Sequence, residues 1–279
     1  MTVGKTEIET LTPVNPARPV APWQGGKRAL AGRLCDMIES IPHARYVEPF
    51  VGMGGVFFRR RMKPKAEVIN DINHDVVNLF RLLQRHFQQL LDVLKWQVCS
   101  RAEFERLLKV APDTLTDLER AARFLYLQRA SFGGRVTGQT FGVDYVNGAR
   151  FNLTKLVPLL EAVHERLAGV LIERLPFADC IKRYDSRPGT LFYLDPPYWN
   201  CTDDYGQQIF APEDFERLRE LLSRLNGRFI MSINDVPEIR EIFAGFHMEE
   251  VGLNYTVGGG QRPARELIIS NSNLRRETP

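Results

Sequence analysis

The sequence Asp195-Pro196-Pro197-Tyr198 brings together groups that could hold an amine in position for reaction. The apolar run Leu191–Leu194 precedes it and predicts a buried strand, and open α/β sheets bind ligands at the carboxyl ends of such strands. Because the two prolines stiffen the turn and remove two N–H donors, the Asp195 carboxylate and the Pro196 carbonyl remain as acceptors. They suit an exocyclic amine, and Tyr198 adds a face on which a base lifted out of a duplex can stack. We therefore predict Asp195, Pro196 and Tyr198 as catalytic residues.

A glycine-rich segment, Glu48-Pro49-Phe50-Val51-Gly52-Met53-Gly54-Gly55, lies between a predicted strand, Arg45–Glu48, and a predicted short helix, Gly55–Met62. Glycines at such a turn let the backbone approach a ligand beside the positive end of the helix. A second predicted strand, Glu67–Asn70, is followed by Asp71, which could accept hydrogen bonds from ribose hydroxyls. This pattern predicts a nucleoside cofactor but does not distinguish a dinucleotide from S-adenosylmethionine.

A third segment, Trp23-Gln24-Gly25-Gly26-Lys27, precedes a predicted helix over Arg28–Ile41. Two glycines before a helix form a turn of amides that can receive an anion, and Lys27 adds a positive charge. A helix-capping turn is the simpler explanation of this segment when it is considered alone.

The net charge of +3 conceals an uneven distribution along the chain. Between Arg120 and Lys155 six basic residues face a single acid, Asp144, so this window carries +5 and the rest of the chain −2. Six aromatic residues lie in the same window, and basic groups mixed with aromatics are typical of nucleic-acid surfaces. A solvated face with some core aromatics is the alternative. The basic run Arg59–Lys65 could also contact phosphates, although an exposed helix end is the simpler explanation.

Strand-like and helix-like patterns alternate over most of the chain, which predicts an α/β fold with a mostly parallel sheet. The stretch from about Trp96 to Leu167 interrupts the alternation with helical segments and a glycine-rich loop, Ser131–Gly148, whose length is typical of a functional segment. We interpret this stretch as an insertion. Beyond the strands already named, we predict strands over Val170–Arg174, Thr190–Leu194, Arg228–Ile233 and Glu266–Ser270, and helices over Asp75–Leu94, Arg101–Val110, Leu118–Arg129, Pro212–Leu225 and Val236–Phe243.

Length and composition are those of a globular protein. The 279 residues, 44% hydrophobic and 25% charged, predict one large domain that carries a smaller one. Residues 1–21 lack the apolar segment of a signal peptide and read as a disordered leader. Four separated cysteines predict free thiols in a reducing cytoplasm, and the spacing of the histidines and cysteines predicts no metal.

The segments at Trp23–Lys27, Glu48–Gly52, Asp71–Asn73 and Asp195–Tyr198, in this order, resemble the Dam-like DNA adenine methyltransferases, the alpha group of amino-methyltransferases. The resemblance covers roughly residues 22–271. Shorter similarities support it at Phe124–Leu127, Phe177–Asp179, Ser232–Asp235 and Glu266–Ser270.

The resemblance implies a Rossmann-like S-adenosylmethionine-dependent methyltransferase sheet with an inserted, mainly helical DNA-recognition domain. The catalytic domain would comprise residues 22–95 and 168–272, the recognition insertion residues 96–167, and a tail residues 273–279. It also implies that Lys27 lies near the methionine carboxylate, that Asp71 binds the ribose, and that Phe177 and Asp179 flank the cofactor adenine. The residues expected to bind S-adenosylmethionine are Trp23, Lys27, Glu48, Phe50, Gly52, Asp71, Phe177, Asp179 and Asp195.

The insertion is expected to bind double-stranded DNA through Arg129, Phe132, Arg135, Gln139, Tyr145 and Arg150. The family pattern Asn-Arg-x-x-x-Asn-Gly-Leu is here Gln128-Arg129-Ala130-Ser131-Phe132-Gly133-Gly134-Arg135. Because of this departure, the resemblance does not extend to the family's usual GATC site.

The leading hypothesis is methylation of the adenine amine in duplex DNA, by base flipping and direct transfer, in the cytoplasm of a bacterium or the host of a phage. Cytosine's exocyclic amine could use a similar pair of acceptors, and a non-catalytic DNA-binding relic or a dinucleotide oxidoreductase are alternatives from other classes. The sequence leaves open whether the protein is a monomer or a homodimer, and whether a restriction enzyme accompanies it.

Overall fold

The computed structural model of the chain describes residues 11–143, 148–186, 189–200, 210–257 and 260–271. In this part of the chain, the strands are β1 (Thr12–Pro13), β2 (Arg45–Glu48), β3 (Met62–Lys63), β4 (Ala66–Asn70), β5 (Leu171–Glu173), β6 (Thr190–Leu194), β7 (Arg228–Asn234), β8 (His247–Val257) and β9 (Gly260–Ser270). The helices are α1 (Ala31–Ser40), α2 (His74–Arg85), α3 (Phe87–Leu94), α4 (Arg101–Lys109), α5 (Asp117–Ala130), α6 (Leu153–Arg166), α7 (Phe177–Tyr184), α8 (Pro212–Ser223) and α9 (Pro237–Ile242).

Seven strands form one sheet in the order β5-β4-β2-β6-β7-β9-β8. The pairs from β5 to β7 are parallel, whereas β9 runs antiparallel to both of its neighbours. The chain passes from β2 outward to β4 and β5, and later from β6 outward in the opposite direction. The strand order therefore reverses between β2 and β6, and sheets of this kind bind their ligands at such a reversal.

Helices cover both faces of the sheet. Successive side chains of a strand point to opposite faces, so neighbours in sequence pack in different cores. Tyr46, Ile69 and Leu191 pack in one core with the helices α1 to α6. Val47, Val68 and Phe192, their neighbours in sequence, pack in a second core with α7, α8 and α9. The result is the three-layer α/β arrangement that the alternation of strands and helices predicts.

The predicted insertion shares the first core with the sheet. Residues of α4, α5 and α6 pack in the same cluster as residues of β2 and β4. At the end of α6, Arg166 forms a bidentate pair with Glu67 of β4 at 2.6 and 2.7 Å, and the buried Arg60 contacts the same carboxylate. Such a charge-paired contact holds α6 firmly against the sheet. The division into a catalytic and a recognition domain stays a prediction.

Three predictions are wrong in detail. The helix expected over Gly55–Met62 is a single 3₁₀ turn, Phe57–Arg59, because residue 60 turns into extended backbone and Met62–Lys63 pairs with Thr12–Pro13. This pairing also shows that residues 11–21 are not a disordered leader, since Ala17 and Val20 are buried in the core. The helix expected over Asp75–Leu94 is interrupted at His86, whose φ of −127° and ψ of 41° are not helical. Residues 1–10 lie outside the described residues.

The helices α6 and α7 and the strand β8 were not among the predicted elements. Within the described residues, no helix combines the length and the hydrophobicity that crossing a membrane requires.

Candidate active site

A cavity of about 920 Å³ lies at the carboxyl ends of the central strands, next to the reversal of strand order. It is lined by residues from the three segments that the sequence singles out: the turn before α1, the glycine loop after β2 and the loop after β6. Of the predicted cofactor-binding residues, those that line it are Trp23, Lys27, Glu48, Phe50, Gly52, Asp71, Phe177 and Asp195.

The glycine loop is shaped by a contact with Trp23. Gly52 has a φ of +48°, and a Cβ atom on it would lie 2.6 Å from the indole nitrogen of Trp23. A residue with a side chain would therefore displace Trp23 and strain the backbone. Only one 3₁₀ turn follows the loop, so the predicted positive helix end does not exist here.

Asp71 is held by the backbone at the end of β4. Its two carboxylate oxygens accept hydrogen bonds from the amides of Gly52 and Asn73, both at 2.9 Å. Burial raises the pKa of Asp71 to about 6, although these hydrogen bonds act in the opposite direction. Asn70 joins the ends of β2, β4 and β5, since its side-chain amide bonds Pro49 and Leu175. The acid predicted to bind ribose thus has a fixed position at the cavity wall.

An aromatic wall closes one side of the cavity. Phe50 lies 5.5 Å from Phe177 between ring centroids, and Phe210, which was not a predicted site residue, contacts both rings. Asp179 is not part of this wall: it is exposed and does not line the cavity. Asp179 follows Phe177 by two residues in α7. Two residues correspond to more than half a helical turn, so the Asp179 side chain lies on the opposite side of the helix from Phe177.

The loop Asp195–Tyr198, here called the catalytic ledge, is joined to Lys27. The Lys27 Nζ lies 2.8 Å from the Oδ1 of Asp195 and donates a 2.6 Å hydrogen bond to the Tyr198 hydroxyl. Lys27 is almost completely buried, with 2% of its surface exposed. The resemblance implies a position near the cofactor carboxylate, whereas this structure pairs Lys27 with the carboxylate predicted to be catalytic.

Glu266 is a further acid at the ledge, and it was not among the predicted site residues. It is buried in β9, accepts a short hydrogen bond from the Tyr198 hydroxyl, and has an oxygen 3.6 Å from the Lys27 Nζ. Two carboxylates therefore share one ammonium group, and Tyr198 is fixed between Lys27 and Glu266.

The pKa of Asp195 is raised to about 6, mainly because the group is buried. The charge of Lys27 lowers this pKa, and the charge of Glu266 raises it. Ser232 of β7 donates to Oδ1 at 3.5 Å and also bonds the Tyr193 hydroxyl. At neutral pH Asp195 is ionised and able to accept hydrogen bonds.

The ledge is also held from β7 and is partly turned from the cavity. The Asn234 side chain bonds both the amide and the carbonyl of Trp199. Asp195 and Pro197 line the cavity, while Pro196 and Tyr198 are not among its lining residues. No group in the described part of the chain donates a hydrogen bond to the Pro196 carbonyl.

Glu48 is fully buried at the end of β2 and lines the cavity. It accepts a 2.8 Å hydrogen bond from the Tyr46 hydroxyl, and burial raises its pKa to about 8. Burial therefore favours the protonated form of Glu48.

The segment Ser131–Phe141 is here called the recognition loop. Hydrogen bonds close it on itself and join it to the turn before α1, which contains Trp23 and Gln24. Phe132 donates to the Thr140 carbonyl at 2.9 Å, and Gln24 donates to the Gly134 carbonyl at 3.0 Å. Gly134 has a φ of +69°, and a Cβ there would lie 2.9 Å from the amide nitrogen of Trp23, which explains a glycine at this position. The buried Gln128 side chain bonds the carbonyls of Pro22 and Gly134.

The residues predicted to bind DNA divide into two groups. Phe132 and Arg135 are exposed on the recognition loop. Arg129, Gln139 and Arg150 donate to carbonyl or amide oxygens of the protein, and Arg129 also lines the cavity. Tyr145 lies outside the described residues.

The sheet order, the acid after β4 and the acceptor ledge after β6 together define an S-adenosylmethionine-dependent methyltransferase fold. The family model described as D12 class N6 adenine-specific DNA methyltransferase matches residues 23–257. The chain belongs to this family, which confirms the resemblance and makes adenine, rather than cytosine, the target base. The protein is an adenine-specific DNA methyltransferase, and its cofactor is S-adenosylmethionine.

Several known proteins are similar to this chain over most of its length. A Type II methyltransferase of Lactococcus lactis subsp. cremoris, M1.LlaDCHI, is 29% identical and covers 91% of this chain and 95% of its own. The Type II methyltransferase M.CviBI of Paramecium bursaria Chlorella virus NC1A is 25% identical, with 85% and 91% covered. A DNA adenine methylase of Salmonella typhi is 28% identical, with 89% and 92% covered.

Proposed function

We propose that this chain methylates the amine of an adenine flipped out of double-stranded DNA, and that Asp195 and the Pro196 carbonyl hold that amine. The observation that carries the proposal is that Asp195 lines the same cavity as Asp71 and the glycine loop. A cofactor bound against Asp71 and an amine held at Asp195 would therefore meet in one cavity. The burial of the groups that line it matters because hydrogen bonds and charges act more strongly where water is excluded.

The residues present fit the cofactor. Asp71 would accept hydrogen bonds from the ribose, Phe50 and Phe177 would flank the adenine ring, and Trp23, which packs against Gly52, lines the same cavity. Glu48, which also lines the cavity, would donate a hydrogen bond to the cofactor in its protonated form. When bound, S-adenosylmethionine supplies an activated methyl group.

The ledge orients the nucleophile. Lys27 and Ser232 both contact Oδ1 of Asp195, and the second carboxylate oxygen has no partner within the described residues. This oxygen and the Pro196 carbonyl accept the two N–H groups of the amine, which directs the nitrogen lone pair toward the methyl group. The amine becomes more positive as its bond to carbon forms, and the ionised Asp195 stabilises that charge. Transfer would be a direct displacement without a covalent enzyme intermediate: the bond from nitrogen to the methyl carbon forms as the sulfur–methyl bond breaks, the sulfonium leaves as a neutral thioether, and the amine releases one proton to water.

Lys27, Tyr198 and Glu266 position the ledge. Lys27 keeps Asp195 ionised and fixes one of its oxygens, while Glu266 fixes the Tyr198 hydroxyl so that the ring can stack against the flipped base. On the DNA side, residues 96–167 form the recognition part of the enzyme. Phe132 and Arg135 contact the DNA from the recognition loop, and Arg129 contacts it at the cavity. The enzyme acts in the cytoplasm, where its DNA substrate is found.

Replacing Asp195 tests the proposal. Asp195→Ala should lower the single-turnover rate of methyl transfer by about 10³-fold or more, because the acceptor is lost. Binding of cofactor and of DNA should change little. Asp179→Ala, on the exposed side of α7, is the matched control and should remain active.

The wild-type enzyme is first incubated with labelled S-adenosylmethionine and genomic DNA, and the methylated adenines are mapped by sequencing. An Asp195→Ala variant that methylates at the wild-type rate would remove Asp195 from the mechanism.

A further inference from the structure

Three arginines from separate segments line the cavity at one part of its edge. Arg18 lies in the chain before Trp23, Arg28 follows Lys27, and Arg59 belongs to the 3₁₀ turn after the glycine loop. Together they are here called the arginine rim. None of them belongs to the predicted recognition insertion.

The arginine rim concentrates positive charge without an acid to balance it. Within the described residues, no carboxylate lies within 4 Å of Arg18, Arg28 or Arg59. Arginines close to them in sequence are paired: Arg33 contacts Glu249 at 2.7 Å, and Arg61 contacts Asp36 and Glu39. The absence of a paired acid therefore distinguishes the arginine rim from the arginines that are its neighbours in sequence.

The position of Arg59 is fixed by the protein. It is half-buried, and its Nη1 donates a 2.5 Å hydrogen bond to the Gly55 carbonyl. Burial lowers its pKa, and the nearby charges of Arg28 and Arg18 lower it further. Like charges held together in this way repel one another, and an anionic ligand would relieve the repulsion.

We propose that Arg18, Arg28 and Arg59 bind backbone phosphates of the DNA strand that carries the target adenine. The inference rests on the proposed function, because it requires that strand to pass over the cavity. A polyanion fits the rim better than the amino-acid end of the cofactor does. That end carries one carboxylate and one ammonium group, whereas the rim offers three guanidinium groups, two of them exposed to solvent. Arginine is also well suited to phosphate, which it binds through two parallel hydrogen bonds.

This assignment places DNA contacts on the catalytic body as well as on the insertion. The strand would be held by the rim, by Arg129, whose Nη1 donates to the Val20 carbonyl two residues from Arg18, and by the recognition loop. Phosphate contacts beside a flipped nucleotide would hold the distorted backbone while the base occupies the cavity.

The test is the double variant Arg18→Gln/Arg28→Gln, with the paired, exposed Arg33→Gln as control. Affinity for a duplex that contains the mapped methylation site is measured as a function of salt. Loss of two phosphate contacts should reduce the slope of log K against log salt by about 2 and weaken binding at least tenfold. The control should retain the wild-type slope, and affinity for S-adenosylmethionine, measured by calorimetry, should be unchanged in both.

A second arm locates the phosphates. Duplexes with a single neutral methylphosphonate beside the target adenine should weaken binding of the wild type and cause no further loss in the double variant. An unchanged salt slope in the double variant would overturn the proposal, and so would a loss of cofactor affinity with DNA binding retained, which would assign the rim to the cofactor carboxylate. Failure of the proposed function would give a different result. Asp195→Ala would transfer methyl groups at the full rate, while the arginine double variant would still show the reduced salt slope and the weaker binding to DNA.

Discussion

At the catalytic ledge, charged side chains contact one another, whereas the two arginines beside the recognition loop, Arg129 and Arg150, donate to the backbone. Lys27 joins Asp195, Tyr198 and Glu266 in one buried cluster. In the recognition region, Arg129 and Arg150 donate to backbone carbonyls. Charges in the first case change one another's ionisation, and in the second they satisfy oxygens that burial would otherwise leave without donors.

The contacts of the basic residues also correct the prediction that the window from Arg120 to Lys155 presents its full positive charge to DNA. Of the six basic residues that produce the +5 window, Arg120 pairs with Asp75 and Asp113, and Arg123 donates to the Leu107 carbonyl. With Arg150, three of the six are thus engaged by the protein itself, whereas Arg129 also lines the cavity, and the window offers fewer charges to DNA than its composition suggests. The arginine rim, outside that window, offers three.

The strongest test of the comparison is to remove the central cation of the ledge. Lys27→Met should lower the single-turnover methylation rate by about 100-fold, because Asp195 loses the group that orients it. In the wild type, the rate should fall as the pH drops below about 6, where Asp195 becomes protonated. Since the Lys27 charge lowers the pKa of Asp195, the variant should lose activity at a higher pH.

The measurement is a rate–pH profile with cofactor and DNA saturating, beside the exposed Lys182→Met as control. A variant with the wild-type rate and profile would show that the ledge does not depend on Lys27.

Replacing Glu266 should lower the rate less than replacing Lys27 does, and it should shift the pH profile in the opposite direction. Glu266→Gln should reduce the rate at neutral pH about tenfold, since Tyr198 loses a charged acceptor. The negative charge of Glu266 raises the pKa of Asp195, so its removal should extend activity to lower pH.

The exposed Glu216→Gln is the matched control for Glu266→Gln. A purely structural role for Glu266 would lower the rate and leave the acid limb of the profile in place, which would contradict the coupling.

The exposed ring of Phe132 on the recognition loop should affect the binding of DNA and not the binding of the cofactor. Phe132→Ala should weaken duplex binding roughly tenfold, as expected for the loss of one aromatic contact with a base. Cofactor affinity and thermal stability should be retained because the ring is 55% exposed. Thr137→Ala, also exposed on this loop, is the control in the same titration. Equal affinities for Phe132→Ala and the wild type would exclude contact with DNA.

The smallest effect is expected for an inward-facing cation of the same region. Arg150→Met should cost about 1 kcal/mol of stability through its lost hydrogen bond to the Ser131 carbonyl. For a protein of this size, the midpoint of thermal unfolding should fall by about 2–4 °C. Lys155→Met, which replaces an exposed lysine of α6, should leave it unchanged. If Arg150→Met instead weakens DNA binding more than Phe132→Ala does, Arg150 contacts DNA directly and the comparison fails.

Much of the fold could be predicted from the sequence because its signals are local. The strands at Arg45–Glu48 and Thr190–Leu194 have the predicted bounds, since short runs with β-branched and aromatic residues, bounded by turn residues, mark strands. The interruption at His86 could not be predicted, because the apolar spacing continues across it. The 3₁₀ turn at Phe57–Arg59 likewise depends on Arg60, which turns inward to contact Glu67. The sequence around neither residue indicates this contact.

The candidate site was predictable where a motif is contiguous and not where its partners are distant. Asp71 and Asp195 stand in recognisable segments and line the cavity, as does Gly52. Glu266 lies 68 residues from Tyr198, and its one signal was an acid directly before the apolar run Leu267–Ile269 of a predicted strand. Asp179 shows the reverse error, because a contiguous motif places residues two apart on opposite sides of a helix.

The closed recognition loop separates the residues that maintain its shape from those that face outward. Its frame consists of backbone hydrogen bonds and the inward-facing Gln128, Gln139 and Arg150, while Phe132 and Arg135 are exposed. In the described part of the chain, the Phe132 ring touches this frame only at Arg150, whose guanidinium lies 5.3 Å from the ring centroid, so substitutions at the two exposed positions should avoid most of the stability losses that eliminate variants. In evolutionary terms, such an enzyme can acquire a new target sequence without first rebuilding the loop that carries it.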